Sequence, residues 1–249
     1  MNDGSTNPVD ALSETDLTLA GAIFESEGEL RGYLDELAAS GLREMLEAAE
    51  EEFGSTVSGT TNRGNRYGFA ALGWAEVARL YALVRKRRPA VLLETGVCNG
   101  VSSAVVLAAL ERNGGGRLHS IDLPEHTDTD YPPGTFWEGK KGAAVPKGRE
   151  PGWVIPASLR GGWELILGDS RQELEPLLDR LGEIDFFLHD SEHSYECMSF
   201  ELGAARRRLR PGGILACDDT NWNRAFQEIV EAEGLTLYSL GAGLRFALV

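Results

Sequence analysis

From Val91 to the C-terminus, short apolar runs alternate with helical segments, and five of those runs end in a carboxylate. Val91–Leu93 leads into Glu94, Arg117–Ile121 into Asp122, and Trp163–Leu167 into Gly168-Asp169. Ile184–Leu188 leads into His189-Asp190, and Ile214–Cys217 into Asp218-Asp219. Helical patterns follow at Ser102–Glu111, Ser170–Leu181, Ser194–Leu209 and Trp222–Ala232, with Pro211-Gly212-Gly213 as a turn. The last two runs, Leu235–Leu240 and Leu244–Val249, meet at Gly241-Ala242-Gly243 as a hairpin. Strands separated by helices can pair in parallel only through crossovers, so the expected fold class is α/β. It is a doubly wound, mostly parallel seven-stranded sheet with an antiparallel C-terminal hairpin. Such sheets bind ligands beyond the carboxyl ends of their strands, where these acidic residues fall.

Upstream, residues 1–16 are polar, rich in Ser, Asn, Gly and Pro, and read as disordered. Leu17 to Phe53 carries apolar residues at three- and four-residue spacing, with Gly41 separating two short helices, which makes an N-terminal helical extension. Gly54–Gly68 reads as a loop and Phe69–Arg87 as a helix closed by Pro89. The expected divisions are therefore 1–16, 17–68 and a main domain over 69–249. Leu123–Gly162 breaks the alternation: it is heavy in Pro and Gly yet holds Tyr131, Phe136, Trp137 and Trp153. Its aromatics favour a substrate-covering lid over a disordered excursion.

The net charge of −15 excludes most nucleic-acid partners, because a polyanion meets a repulsive field. The basic runs Arg85–Arg88 and Arg206–Arg208 with Arg210 close helical stretches, where they suit the helix dipole. Three scattered cysteines, Cys98, Cys197 and Cys217, read as reduced thiols, with no zinc spacing. No apolar run is long enough to span a membrane, and the polar start is no signal peptide. A soluble, cytoplasmic protein with a small-molecule acceptor is expected.

The segment VLLETGVCNG, Val91–Gly100, reads as a strand entering a glycine turn that holds a nucleotide-like cofactor. A dinucleotide turn needs G-x-G-x-x-G, and Cys98 occupies the second glycine's place, which disfavours a pyrophosphate ligand and an NAD-dependent oxidoreductase. Glu94 would repel phosphates but suits a cationic sulfonium with an amino group. ETGVCNG, then a strand ending at Asp122, then Gly168-Asp169-Ser170, resembles the motif series of class I S-adenosylmethionine-dependent methyltransferases over Phe69–Val249. FLHDSEHSYE (Phe187–Glu196) and RPGGILACDD (Arg210–Asp219) are similar to small-molecule O-methyltransferases of the methyltransferase domain 24 type, some of which act on natural-product sugars. The resemblance implies a Rossmann-like methyltransferase fold. It also implies that Glu94, Gly96, Asn99 and Gly100 line the methionine end of the cofactor. Ser102 and Asp190 join the cofactor-binding set, Asp122 accepts from the ribose hydroxyls, and Asp169 and Ser170 sit by the adenine.

Asp190, Asp218 and Asp219 close two neighbouring strands, and three hard oxygen donors with room for water suit Mg2+. The alternative is that Asp218 or Asp219 caps the next helix and Asp190 bonds the loop. Metal-dependent relatives bind their ion through acidic residues at these positions, and a histidine at the spacing of His193 acts as general base, so the resemblance assigns catalysis to His193 and Asp190. A metal beside the acceptor lowers its hydroxyl pKa. Strand alternation points His189 away from Asp190; His119 reads as structural and His126 as part of the lid. Two other readings stay open: a metal-independent methyltransferase in which the aspartates order loops, and a non-catalytic cofactor-binding subunit. The helices before Phe69 either cover the site or pair two subunits in a homo-oligomer.

Overall fold

The computed structural model describes residues 12–56, 66–70, 72–127, 133–134, 136–138 and 141–249. Among them the chain forms helices α1 (Glu14–Ala22), α2 (Glu27–Ala38), α3 (Leu42–Thr56), α4 (Trp74–Arg87), α5 (Val101–Asn113), α6 (Ser170–Leu181), α7 (Tyr195–Arg206) and α8 (Ala225–Glu233). The strands are β1 (Arg66–Gly68), β2 (Val91–Thr95), β3 (Arg117–Asp122), β4 (Lys141–Ala143), β5 (Trp163–Leu167), β6 (Ile184–His189), β7 (Leu209–Cys217), β8 (Leu237–Ser239) and β9 (Arg245–Leu248). Seven strands make one sheet in the order β5-β3-β2-β6-β7-β9-β8. Its first five are parallel and β9 is antiparallel to both β7 and β8, as the apolar runs and the terminal hairpin imply.

The central strands are apolar at successive positions because both faces are covered. Leu92, Phe186, Leu188, Ile214 and Ala216 pack into one core with α4, α5 and the N-terminal helices. Their neighbours Leu93, Phe187, Leu215 and Cys217 pack into a second core with α6, α7 and α8. Strand order reverses at β2 and β6, whose carboxyl ends hold Glu94 and His189-Asp190. Hydrogen bonds continue past the strand ends: Gly96 N–H donates to Ile121 O, Gly168 to Asp122, Asp190 to Thr95 and Asp218 to His189, all at 2.8–2.9 Å. This extension holds the acidic residues of four strands in register.

Several boundaries differ from expectation, each for a local reason. α1 begins at Glu14, inside the tract read as disordered, because Ser13 caps it and Asp16 pairs with Arg79 at 2.7 Å. Residues 1–11 of that tract lie outside the described residues. The extension holds three helices, with a break at Ile23–Ser26 besides Gly41. The basic end of α4 faces carboxylates of α2, with Arg85 on Glu36 at 2.6 Å and Lys86 on Glu29 at 2.9 Å. α4 begins at Trp74, not Phe69, capped by Gly73. Pro211-Gly212-Gly213 lies within β7, whose pairing with β6 shifts register between Leu209 and Ile214. The loop expected at 54–68 shrinks at both ends: α3 runs to Thr56, and Arg66–Gly68 forms β1. Its residues 57–65 lie outside the described residues.

The insertion after Asp122 is more ordered than a lid need be. β4 pairs in parallel with β1, and Val145 bridges His126. Ala144, Val145, Val154, Ile155 and Leu159 are buried. Tyr131 lies outside the described residues.

Candidate active site

A cavity of about 470 Å³ opens beyond the carboxyl ends of β2, β3, β5, β6 and β7, and a smaller one of about 60 Å³ adjoins it. Gly96, Cys98 and Asp190 line both. The larger is lined by Asp122, Asp169, Ser170, His193 and Asp219, the smaller by Asn99, Gly100 and Ser102. Its size suits a cofactor with a small partner. The structure therefore brings most of the expected residues around one space.

Four of them play parts that the motif did not reveal. Glu94 lines neither cavity. It is fully buried, and its Oε1 accepts from Ser103 (2.5 Å) and Ser120 (2.6 Å) behind the loop. Its Oε2 has no hydrogen-bond partner among the described residues, and burial pushes its carboxyl up to about 7. Asn99 spends its side chain on covering segments: Nδ2 donates to Phe69 O (2.7 Å) and Ala144 O (3.0 Å), while Oδ1 accepts from Trp153 (2.6 Å). The two turn glycines are set by protein backbone. A Cβ at Gly96 (φ +87°) would sit 1.9 Å from Asp190 O, and one at Gly100 (φ +95°) 2.6 Å from Gly152 Cα.

Asp122 fits the expected sugar contact. Its Oδ1 accepts from the N–H groups of Val97 (2.7 Å) and Cys98 (3.1 Å), which fixes the turn. Its Oδ2 is buried on the cavity wall with no hydrogen-bond partner among the described residues, an acceptor suited to a ligand hydroxyl. Asp169 caps α6 by accepting from Arg171 N–H at 2.9 Å, with Ser170 beside it. Cys98 adopts φ +48°, and burial pushes its thiol well up, which disfavours the thiolate.

At the other end three side chains converge. Asp190, His193 and Asp218 each offer a ligand atom, all within 4.8 Å of one another, and His193 Nε2 lies 3.8 Å from Asp190 Oδ1. Asp219 lines the cavity at φ +48° but falls outside this trio, so the geometry puts His193 where the sequence put Asp219. Burial, then Asp218 and Asp219, push Asp190 well above the carboxylate range; burial, then Asp219, push Asp218 up to about 6. Crowded buried carboxylates of this kind suit a dication, whose charge offsets their repulsion. The donor set thus fits a divalent metal, with an imidazole at hand as base or ligand.

His189 is wholly buried, with Nδ1 on Glu201 Oε2 at 2.6 Å, and His119 bonds Glu164 at 2.8 Å. His126 Nε2 lies 3.3 Å from Arg149 O, within the insertion. Cavity residues that the motifs did not single out include Glu125, Arg171, Glu192 and Trp222. Trp222 follows Asp219 by three residues, and that spacing was its only sequence signal.

A family model described as a methyltransferase domain matches residues 93–220, just over half of the 249 residues. The chain belongs to this methyltransferase family. Among solved structures, the methyltransferase is similar to the O-methyltransferase TomG of Streptomyces achromogenes, involved in tomaymycin synthesis and solved with S-adenosylmethionine. That match has 18% identity, a TM-score of 0.51, and covers 84% of this chain and 89% of TomG. It is also similar to an O-methyltransferase of Bacillus cereus in complex with S-adenosylhomocysteine (15%, TM-score 0.50, 94% and 96% covered). A third likeness is to CalS11, a calicheamicin methyltransferase (21%, TM-score 0.50, 69% and 76% covered). At these identities the likeness establishes the class I fold. No curated protein sequence matches. No helix among the described residues is long and apolar enough to cross a membrane.

Proposed function

We propose that this methyltransferase transfers a methyl group from S-adenosylmethionine to a hydroxyl of a small molecule, assisted by Mg2+, with His193 as general base. The observation that carries the reading is one cavity lined by Gly96, Cys98, Asp122, Asp190 and His193, with Asp122 Oδ2 unpartnered among the described residues and Asp190 and His193 converging with Asp218. Bound S-adenosylmethionine supplies an electrophilic methyl on a sulfonium. Asp122 Oδ2 accepts from its ribose, Asp169 and Ser170 flank its base, and the Gly96–Gly100 turn seats its methionine end.

A bound Mg2+ lowers the pKa of a nearby hydroxyl. Asp190 and Asp218 would hold it, with Asp219 on the wall of the same cavity. The Nε2 of His193, on the Asp190 side, accepts the hydroxyl proton, and the enclosing residues fix the acceptor for displacement. Neighbouring structures with S-adenosylmethionine or S-adenosylhomocysteine, and the O-methyltransferase names among them, support the donor and the acceptor atom.

Convergence of His193 with the two aspartates favours a second reading, in which His193 is itself a metal ligand. Metal titration into chelator-treated protein separates the two. As base, His193→Ala keeps metal affinity and loses kcat; as ligand, it loses both. Full activity of Asp190→Ala and Asp218→Ala in chelator would rule out the metal in either form.

A further inference from the structure

A fully buried carboxylate, Glu201 of α7, takes no part in the methyl-transfer reading. Its Oε2 accepts from Thr95 Oγ1 at 2.5 Å and from His189 Nδ1 at 2.6 Å. Its Oε1 accepts from Ser191 Oγ at 2.8 Å and from the Cys197 thiol at 3.4 Å. Burial alone would raise its carboxyl, but the imidazole of His189, with hydrogen bonds from Ser170 and Thr95, outweighs it and lowers the pKa to about 2. An ionised carboxylate only accepts, so these side chains all donate, and His189 carries its proton on Nδ1.

The donors sit on the elements that carry the site. Thr95 ends β2 just before Gly96, and His189 and Ser191 flank Asp190 at the end of β6. Backbone bonds carry the hold further: Asp190 N–H donates to Thr95 O at 2.8 Å, and Asp218 N–H to His189 O at 2.9 Å. The His189 ring also supports that of His193, at 5.2 Å and edge-on at 85°. All three members of the trio therefore abut His189, which Glu201 holds.

We propose that Glu201 is the positioning residue of the trio, keeping Asp190, His193 and Asp218 at metal-binding distance through His189 and Ser191. The proposal rests on the metal-assisted reading and adds the residue that organises its donor set. Side chains that orient a ligand shell without touching the ion govern its affinity, and their loss costs about 10–100-fold. The cofactor turn has an anchor of its own, because Asp122 Oδ1 accepts from the N–H groups of Val97 and Cys98. Loss of Glu201 thus acts chiefly on the metal seat.

The test uses the full chain freed of metal by chelator, with Mn2+ as the probe and its free fraction read by electron paramagnetic resonance. S-adenosylhomocysteine, titrated calorimetrically into the same samples, checks the cofactor seat and the fold. Glu201→Ala should raise the Mn2+ Kd about tenfold or more and leave S-adenosylhomocysteine affinity within about threefold. Glu201→Gln should keep the Mn2+ Kd within about threefold of the wild type. Its amide oxygen still accepts from Thr95 and His189, and its NH2 donates to Ser191, whose hydroxyl can turn to accept. A merely structural role would lower the melting temperature of Glu201→Ala at an unchanged Mn2+ Kd, and that result overturns the proposal. So does Glu201→Gln binding as weakly as Glu201→Ala, which assigns the effect to charge instead of reach. If Glu201→Ala does not fold, Ser191→Ala decides, because Ser191 is only partly buried on the cavity wall. Loss of that single tie should raise the Mn2+ Kd about threefold, and an unchanged value overturns the proposal. Absence of Mn2+ binding to the wild type is a different result, because it removes the metal reading together with the proposal.

Discussion

Glu94, expected at the methionine end of the cofactor, lines neither cavity. It sits one layer behind the cofactor turn, bonded to Ser103 of α5 and Ser120 of β3. Its pKa of about 7 stands above the ordinary 4.5, so between those values the folded protein keeps a proton that the unfolded chain releases. Stability is therefore fullest below about 4.5 and drains as pH rises towards 7. The loss is on the order of 3 kcal/mol at 1.36 kcal/mol per pKa unit. Denaturant titration of ligand-free protein between those pH values should show this slope, and Glu94→Gln should reduce it, leaving the share that the raised carboxyls of Asp190 and Asp218 contribute. A slope equal in both proteins would mean that another group carries the effect. Glu94 was legible in the sequence as an important strand-end carboxylate; its burial against Ser103 and Ser120 was not, because nothing local reveals which side of a turn a carboxylate serves.

At the scale of elements, Asn99 fastens the cofactor turn to its cover. Its amide holds Phe69 next to β1 and Ala144 next to β4, and the indole of Trp153 closes the third contact. Asn99→Ala leaves two buried carbonyls without their donor, each a loss of about 1–3 kcal/mol. The expected outcome is a fall in stability of about 3 kcal/mol and faster proteolysis between β3 and β5, with cofactor affinity reduced in step. Loss of cofactor affinity at unchanged stability would point instead to direct contact. The alternating strands and helices of the main sheet were legible because apolar runs and glycine turns encode them locally. The β1–β4 pairing was not: three-residue strands 75 positions apart carry no period, and only the tertiary partner orders them. Likewise the aspartates stood out by type and place, but the convergence of His193 with Asp190 and Asp218 depends on the path of the chain between β6 and α7.

At the scale of the molecule, α1 and α2 are part of the folded unit through ion pairs to α4. Burial alone would raise the Asp16 carboxyl, but hydrogen bonds from Arg79 and Ser13 outweigh it and hold the pKa below 3.8. Arg79 also donates to Leu240 O at 2.8 Å, so one guanidinium ties α1 to the C-terminal hairpin. A depressed carboxylate stabilises above its ordinary pKa and loses that contribution as pH falls through its folded value. Arg79→Ala should cost about 3 kcal/mol near neutrality, because it strands a buried charge, and less in acid, where Asp16 is protonated. Equilibrium unfolding of both proteins at the two pH values checks the sign. An equal loss at both would assign Arg79 a packing role instead.

The central claim is that the cavity shared by Asp122, Asp190 and His193 seats the cofactor at Asp122. Calorimetric titration of S-adenosylhomocysteine into the wild type and Asp122→Asn tests it most directly. The account predicts one site per chain in the wild type and at least about tenfold weaker binding in Asp122→Asn, the loss of a charge-assisted hydrogen bond. The asparagine keeps the turn's Oδ1 acceptor. Absence of binding to the wild type, or equal affinity in the two proteins, would contradict it.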